Sequence, residues 1–143
     1  MNRVCIVGIG NTIRCDDGIG AYITEAIEAM HLQNVECLTV HQLQTELVEE
    51  LIKYNVVILV DAAIQIPEIE FRPLNGTGSA LSSSHHINAE MLYAVAEKMF
   101  DKKLNIYLCA VKGENFEMGE TIAAAVYERA DAAISLLIDF IKE

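Results

Sequence analysis

Aspartates and histidines stand at three places in this chain where they could do chemistry. Asp16 and Asp17 lie in a glycine-rich loop, Asp61 follows a run of five apolar residues, and His85 and His86 follow a polar stretch. Carboxylates serve as general acids, general bases and metal ligands, and histidine is the most common metal ligand. If two aspartates and one histidine converge, their O, O and N atoms suit a transition metal such as nickel or zinc.

The two neighbouring aspartates need different roles, because adjacent side chains cannot both point into one pocket. We interpret Asp16 as the N-terminal cap of the following helix and Asp17 as the pocket residue. Asp61 ends the apolar run Val56–Val60, and a carboxylate there requires solvent in a cleft, a partner or a cation. The sequence after Asp61 predicts no helix for it to cap, so a functional role is favoured. For the histidine pair, a surface position is the plainer alternative.

The glycine-rich loop, residues 8–20, begins with Gly8-Ile9-Gly10, a start that also suggests nucleotide binding. The dinucleotide fingerprint requires a third glycine three residues later, where this chain has Ile13. The two aspartates in the loop would also repel phosphate. We therefore interpret the loop as a scaffold that presents a carboxylate. A non-catalytic nucleotide- or metal-binding α/β module is the alternative function.

A second polar segment, residues 41–47, follows the second predicted strand and is expected at the rim of the same cleft. Its Gln42 and Thr45 are candidates to bind a peptide backbone, and a role in starting the next helix is the equal alternative. Gly10 and Asn11 of the first loop complete the set of predicted substrate-binding residues.

The four cysteines form no CxxC pair. Cys5, Cys37 and Cys109 lie in apolar runs, where cysteine behaves as a small hydrophobic residue. Cys15 lies in the polar first loop, but a nucleophilic thiolate requires a base and a positive neighbour, and the residues that follow it are carboxylates. A catalytic role for Cys15 is therefore disfavoured.

Five apolar runs predict the strands that must position these residues. They cover Val4–Val7, Val35–Val40, Val56–Val60, Glu68–Arg72 and Leu104–Val111. Prolines bracket the fourth run, which favours the edge of a sheet.

Apolar residues at helical spacing predict four helices between and after these strands. The first begins after Gly18, the second covers residues 43–54, the third is capped by Asn88 and the fourth covers residues 122–141. The polar stretch Asn75–Ser84 predicts a mobile loop that leads into the third helix.

Strands that alternate with helices predict an α/β fold in three layers. We expect a mostly parallel, twisted sheet of about five strands with helices on both faces, formed by residues 1–143 as a single domain. Ligands of such sheets bind outside the carboxyl ends of the strands. This rule selects the first loop, Asp61 and the segments beside them.

Composition excludes several classes of function. The chain has 143 residues, 52% of them hydrophobic, and a net charge of −11, so disorder, nucleic-acid binding and binding to anionic membranes are disfavoured. No apolar stretch resembles a secretory leader or reaches the length of a membrane span. We expect a cytoplasmic protein with reduced thiols, and nothing in the sequence demands more than a monomer.

Together these segments resemble the NiFe-hydrogenase maturation endopeptidases, a family of processing proteases. The resemblance covers nearly the whole chain, and the combined order and spacing are more specific than any one motif. The segments are Gly8-Ile9-Gly10-Asn11, Asp16-Asp17-Gly18-Ile19-Gly20, His41-Gln42-Leu43 to Glu46-Leu47, Asp61 after an apolar strand, His86 before a helix, and Gly113-Glu114-Asn115-Phe116 to Gly119.

The resemblance implies an endopeptidase that removes the C-terminal extension from the precursor of a hydrogenase large subunit after nickel insertion. Carried over residue by residue, the metal-binding and catalytic residues are Asp17, Asp61 and His86. The first is a glutamate in some members and an aspartate here, and the family motif requires no histidine at position 85. The implied metal is nickel, supplied by the precursor, with no organic cofactor.

The resemblance leaves two roles open for the metal. In one, nickel already held in the precursor meets the triad and acts as a recognition signal. In the other, the bound metal polarises the scissile carbonyl and lowers the pKa of a water nucleophile.

Overall fold

The computed structural model describes residues 2–74 and 84–143, with side chains at 2–74 and 90–143. Strands and helices alternate along this part of the chain. The elements are β1 (Val4–Ile9), α1 (Ile19–Glu28), β2 (Val35–Val40), α2 (Val48–Leu51), β3 (Val56–Ala63), β4 (Ile69–Leu74), α3 (Ser84–Phe100), β5 (Ile106–Lys112) and α4 (Ala124–Lys142). Two short 3-10 turns, Cys15–Gly18 and Thr45–Leu47, precede α1 and α2.

The strands form one sheet in the order β2-β1-β3-β5-β4. The first four in this order run parallel, and β4 is antiparallel to β5 at the edge. Pro73 lies within β4, where an edge strand tolerates the missing N–H group. The predicted α/β class, the mostly parallel sheet and the edge position of the fourth strand are confirmed.

Two hydrophobic cores lie on opposite faces of the sheet. Because side chains alternate along a strand, Cys5 and Val7 of β1 pack on one face and Val4 and Ile6 on the other. Residues of α2 and α3 cover the first face, while α1 and α4 cover the second. These are the three layers that the sequence predicts. Within the described ranges, no helix combines the length and apolarity needed to cross a bilayer.

Two cysteines in these cores give the protein a predicted dependence on alkaline pH. Burial raises the pKa of the Cys5 thiol and of the Cys109 thiol to about 12. In the unfolded chain a thiol ionises near pH ~8.5, so each thiol disfavours the folded state as the pH rises from there towards 12. At about pH 10 the expected loss in the free energy of unfolding is about 2 kcal/mol per thiol.

Urea denaturation at neutral pH and at about pH 10 measures this loss. The variant Cys109→Ala removes one of the two thiols, so its unfolding free energy should fall less over the same pH interval. An identical pH dependence in the variant and the parent protein would show that Cys109 makes no such contribution.

The structure corrects two predicted boundaries. β3 continues to Ala63 instead of ending at Val60, because β5 pairs with it as far as Lys112. α3 begins at Ser84, four residues before Asn88, so Asn88 lies inside the helix and does not cap it. Most of the predicted loop, residues 75–83, lies outside the described residues.

The second predicted helix is shorter than its apolar spacing indicates. It consists of the turn Thr45–Leu47 followed by the single turn α2, in place of a continuous helix over residues 43–54. Leu43 is buried ahead of the turn, and Tyr54 lies after α2. The apolar residues therefore reach the core from both sides of a short helix.

Candidate functional site

Two glycines bring α1 close to the sheet. A Cβ atom on Gly8 would lie 2.5 Å from the carbonyl oxygen of Gly20, and one on Gly20 would lie 3.0 Å from the carbonyl oxygen of Val60. Both positions therefore exclude larger residues while this packing is kept. The close approach places the turn Cys15–Gly18 at the carboxyl edge of the sheet, in contact with β3.

Gly10 has a backbone conformation that only glycine adopts without strain. Its φ is +146°, and an added Cβ would lie 2.0 Å from the carbonyl oxygen of Asp17. Its N–H donates to the carbonyl oxygen of Val40 at 3.1 Å, which ties the first loop to the end of β2. The structure thus gives Gly10, predicted to bind substrate, a definite role in the shape of the loop.

Asp17 is held in place by the backbone of the same loop. The N–H of Asn11 donates to Asp17 Oδ2 at 2.8 Å, and the Asn11 side chain in turn accepts from the N–H of Ile13 at 3.0 Å. Asp17 is half-buried, and its Oδ1 accepts no hydrogen bond from a residue whose side chain and backbone are both described. One carboxylate oxygen therefore fixes the orientation of the Asp17 side chain.

Asp61 is the second predicted site carboxylate, and it lies inside β3. It is 4% exposed, its Oδ1 accepts the N–H of Ala62 at 2.8 Å, and it pairs with Ala110 of β5. The pairing of β1 with β3 ends at Gly8 and Val60, so Asp61 lies one residue beyond it. On that side the first loop leaves the sheet, and the turn that carries Asp17 contacts β3.

Asp16 does not cap α1. The N-cap of α1 is Gly18, and no side chain caps the helix. The Asp16 carboxylate is fully buried, and its Oδ2 accepts the N–H groups of Glu114 and Asn115, both at 2.7 Å. Its Oδ1 accepts the N–H of Ala123 at 3.0 Å, at the start of α4. Asp16 therefore has a structural role, as the sequence predicts, but it is not a helix cap. Its hydrogen-bond partners lie in the distant segment 113–123.

Backbone hydrogen bonds join the same two parts of the chain. Cys15 N–H donates to the Gly119 carbonyl at 2.8 Å, Asp16 N–H donates to the Asn115 carbonyl at 2.9 Å, and Gly119 N–H donates to the Ile13 carbonyl at 2.7 Å. The Cys15 thiol is buried and lies 3.7 Å from the Asn115 side-chain nitrogen. These contacts give Cys15 a structural position and offer no support for a catalytic one.

The first loop lacks the features of a phosphate cradle. Such a cradle presents free backbone N–H groups, usually at the start of a helix. In this loop, Gly10, Asn11, Ile13 and Arg14 each donate their N–H to an acceptor within the protein. The geometry therefore disfavours the nucleotide-binding alternative.

Solved structures with known names share this architecture. The hydrogenase maturating endopeptidase HybD from E. coli superposes with a TM-score of 0.80 at 19% identity, over 98% of this chain and 92% of that one. The NiFe hydrogenase maturation protease HycI from Thermococcus kodakarensis KOD1 gives 0.76 at 22% identity, over 99% and 94%. HybD from Thermococcus kodakarensis gives 0.76 at 14% identity, over 96% and 98%.

This chain has the fold of the hydrogenase maturation endopeptidases. No protein-family model matches the sequence, and no curated protein matches it. The likeness expected from the sequence is therefore confirmed in three dimensions and over nearly the full length of the chain.

In this maturation-endopeptidase fold, His85 and His86 lie in the first turn of α3, not ahead of it. Their side chains lie outside the described residues. Among the side chains at 2–74 and 90–143, no group of three His, Cys, Asp or Glu is placed to hold a metal ion. The structure thus brings the elements that carry Asp17 and Asp61 together, and the predicted triad with His86 stays a prediction.

Beside the first loop lies a cleft of about 610 Å³. It is lined by Val40, His41, Gln42, Gln44, Glu46, Leu47 and Glu50. Gln42, predicted to bind substrate, lines this cleft. Thr45 is not among the lining residues, and its hydroxyl donates to Glu46 Oε1 at 2.8 Å. No sequence pattern assigns a role in a cleft to Glu46 or Glu50, because their place there depends on how the turn Thr45–Leu47 and α2 pack.

Proposed function

We propose that this protein is an endopeptidase that removes the C-terminal extension of a NiFe-hydrogenase large-subunit precursor after nickel insertion. The observation that carries the proposal is the contact between the Asp17 turn and the strand of Asp61, within the fold that the named maturation endopeptidases share. Two carboxylates at the carboxyl edge of a parallel sheet stand where this class of fold binds its ligands.

The residues present fit a transition metal. Asp17 keeps one oxygen free of hydrogen bonds from described residues, while the other fixes its orientation through Asn11. Asp61 is almost fully buried, and a carboxylate in such a position gains from a cation beside it. With one imidazole nitrogen from His86, the set becomes O, O and N, which suits nickel or zinc.

In the proposed reaction, the protein's own residues bind and orient the substrate. Asp17, Asp61 and His86 hold the metal that arrives with the precursor, and that metal supplies charge for recognition or for polarising the scissile carbonyl. Gly10 and Asn11 hold the loop around Asp17 through their hydrogen bonds, and Gln42, which lines the neighbouring cleft, would bind the substrate backbone.

The variant His86→Ala tests the proposal. Incubated with a nickel-loaded large-subunit precursor, the parent protein is expected to release the C-terminal extension, and the variant to release none, because the metal loses its nitrogen ligand. Intact mass of the precursor measures the result. Full processing by the variant would exclude His86 from the site, and no processing by the parent protein would refute the proposed activity.

The matched control is His31→Asn. His31 is exposed at the end of α1, with φ of +51°, a conformation that asparagine tolerates. This variant also loses one imidazole and is expected to process the precursor at the parental rate. A loss of processing in both variants would point to a general effect of removing histidine.

A further inference from the structure

One backbone hydrogen bond joins the cleft beside β2 to the loop of the site proposed above. Val40 ends β2 and lines the cleft, and its carbonyl oxygen accepts the N–H of Gly10. Gly10 is followed by Asn11, whose N–H orients Asp17. A polypeptide that leaves the cleft across the end of β1 therefore arrives directly at the Asp17 loop.

The sheet sets the length of that path. β2 and Asp61 on β3 are separated by β1, which makes two strand spacings of about 4.8 Å, or about 10 Å. An extended chain covers about 3.3 Å per residue, so about three residues bridge the distance. A side chain in the cleft would thus belong to a residue about three positions from the bond at the Asp17–Asp61 site.

The lining favours a long basic side chain. Val40 and Leu47 offer apolar surface for its aliphatic stem. Gln42 and Gln44 offer amide groups for the peptide backbone. Glu46 is exposed, and its carboxylate oxygen Oε2 accepts no hydrogen bond from a described residue. A carboxylate at the rim that still has acceptor capacity is the natural partner for Lys or Arg.

The second glutamate of the cleft is already engaged. Glu50 accepts hydrogen bonds from Lys53 at 3.1 Å and from the Tyr54 hydroxyl at 3.1 Å, and these bonds lower the pKa of its carboxyl group. Glu50 therefore stays ionised and adds to the negative potential, but its oxygens are shared with residues of this chain. Glu46 is the residue left to make a direct contact.

We infer that this cleft is a specificity subsite that binds a Lys or Arg side chain of the substrate polypeptide, about three residues from the scissile bond, through Glu46. The inference rests on the proposed endopeptidase function. It adds a requirement for a positively charged side chain near the cleavage point of the substrate. The proposed role of Asp17 and Asp61 does not imply such a requirement.

Steady-state processing of the nickel-loaded precursor tests the subsite. Glu46→Gln is expected to raise KM about two- to fivefold and to leave kcat unchanged, because an exposed ion pair is lost and the reacting groups are untouched. Glu49→Gln is the matched control: Glu49 is exposed on α2, which follows the turn that carries Glu46, does not line the cleft and should keep the parental KM. Equal KM values for both variants would overturn the inference.

A charge exchange identifies the substrate residue. Each Lys or Arg within about four positions of the cleavage point is replaced by Glu in the precursor, and each version is offered to the parent protein and to Glu46→Lys. One replacement is expected to raise KM with the parent protein and to restore it with Glu46→Lys. If no replacement shows this reversal, the subsite does not select the substrate by the charge of a side chain.

Direct binding separates the subsite from the proposed activity. In a ¹H–¹⁵N NMR titration, the acetylated, amidated peptide Ala-Ala-Lys-Ala-Ala should shift the side-chain amide signals of Gln42 and Gln44, and the peptide with Glu in place of Lys should not. Such selective shifts, lost in Glu46→Gln, support the subsite even if no precursor is cleaved. Shifts from both peptides, or from neither, would refute it.

Discussion

Asp61→Asn is expected to lower precursor cleavage by at least about a hundredfold while the protein stays folded. Asparagine has nearly the shape of aspartate and can still accept the N–H of Ala62 at its Oδ1. What disappears is the negative charge, on which binding of a cation depends. Because the side-chain shape and this hydrogen bond are kept, the variant is expected to unfold as cooperatively as the parent protein.

Two measurements together make this prediction decisive. Cleavage rates are compared by intact mass, and unfolding midpoints by urea denaturation, for the parent protein, Asp61→Asn and Asp139→Asn. Asp139 is exposed on α4, so its variant should match the parent in both measurements. If Asp61→Asn cleaved the precursor at the rate of the parent protein, the Asp61 carboxylate would not take part in the proposed site.

Asp16→Ala is expected to lower the free energy of unfolding by about 4 kcal/mol. The substitution removes a fully buried carboxylate and leaves the N–H groups of Glu114, Asn115 and Ala123 without their acceptor. Hydrogen bonds to a charged group contribute about 1.5–3 kcal/mol each, and water that enters the space recovers part of the loss. Urea denaturation measures the change.

Amide hydrogen exchange locates the damage. In Asp16→Ala the amides of Glu114, Asn115 and Ala123 should exchange faster than in the parent protein, because their acceptor is gone. Asp131→Ala is the control, since Asp131 is exposed and accepts one hydrogen bond from Tyr22, and its loss should cost less than about 1 kcal/mol. A similarly small loss for Asp16→Ala would contradict a structural role.

The sequence predicts the sheet well where the signal is local. Apolar runs such as Val56–Val60 are buried on both faces of a parallel sheet, so composition alone marks them. The end of β3 is not local, because β5 decides how far the pairing continues beyond Asp61. For the same reason, the sequence predicts that Asp61 follows the strand, whereas in the structure Asp61 is part of β3.

The two adjacent aspartates show where such prediction stops. Neighbouring side chains must diverge, which correctly predicts a structural Asp16, while the site role of Asp17 stays a prediction. The partners of Asp16 lie 98 to 107 positions later in the chain, and no periodicity or spacing reveals a contact of that range. Helix capping, the nearest local explanation, is therefore the wrong one.

The cleft and its glutamates illustrate the same limit. Gln42 is predictable because it follows a strand at the carboxyl edge, where ligands bind. Glu46 and Glu50 belong to a segment whose apolar spacing indicates one long helix. The structure shows instead a turn that carries Glu46 and a short helix that carries Glu50, and both residues line the cleft. The position of the two glutamates on the cleft depends on tertiary contacts, which a single sequence does not predict.

The long sequence separation between Asp16 and its partners also has a consequence during synthesis of the chain. A ribosome adds about 5–20 residues per second, so Ala123 is made about 5 to 20 s after the aspartate that binds it. Until then Asp16 lacks the last of its three N–H partners, although the residues of all five strands have already been synthesised. The residues of the whole sheet are therefore available before the hydrogen bonds that hold the first loop can be completed.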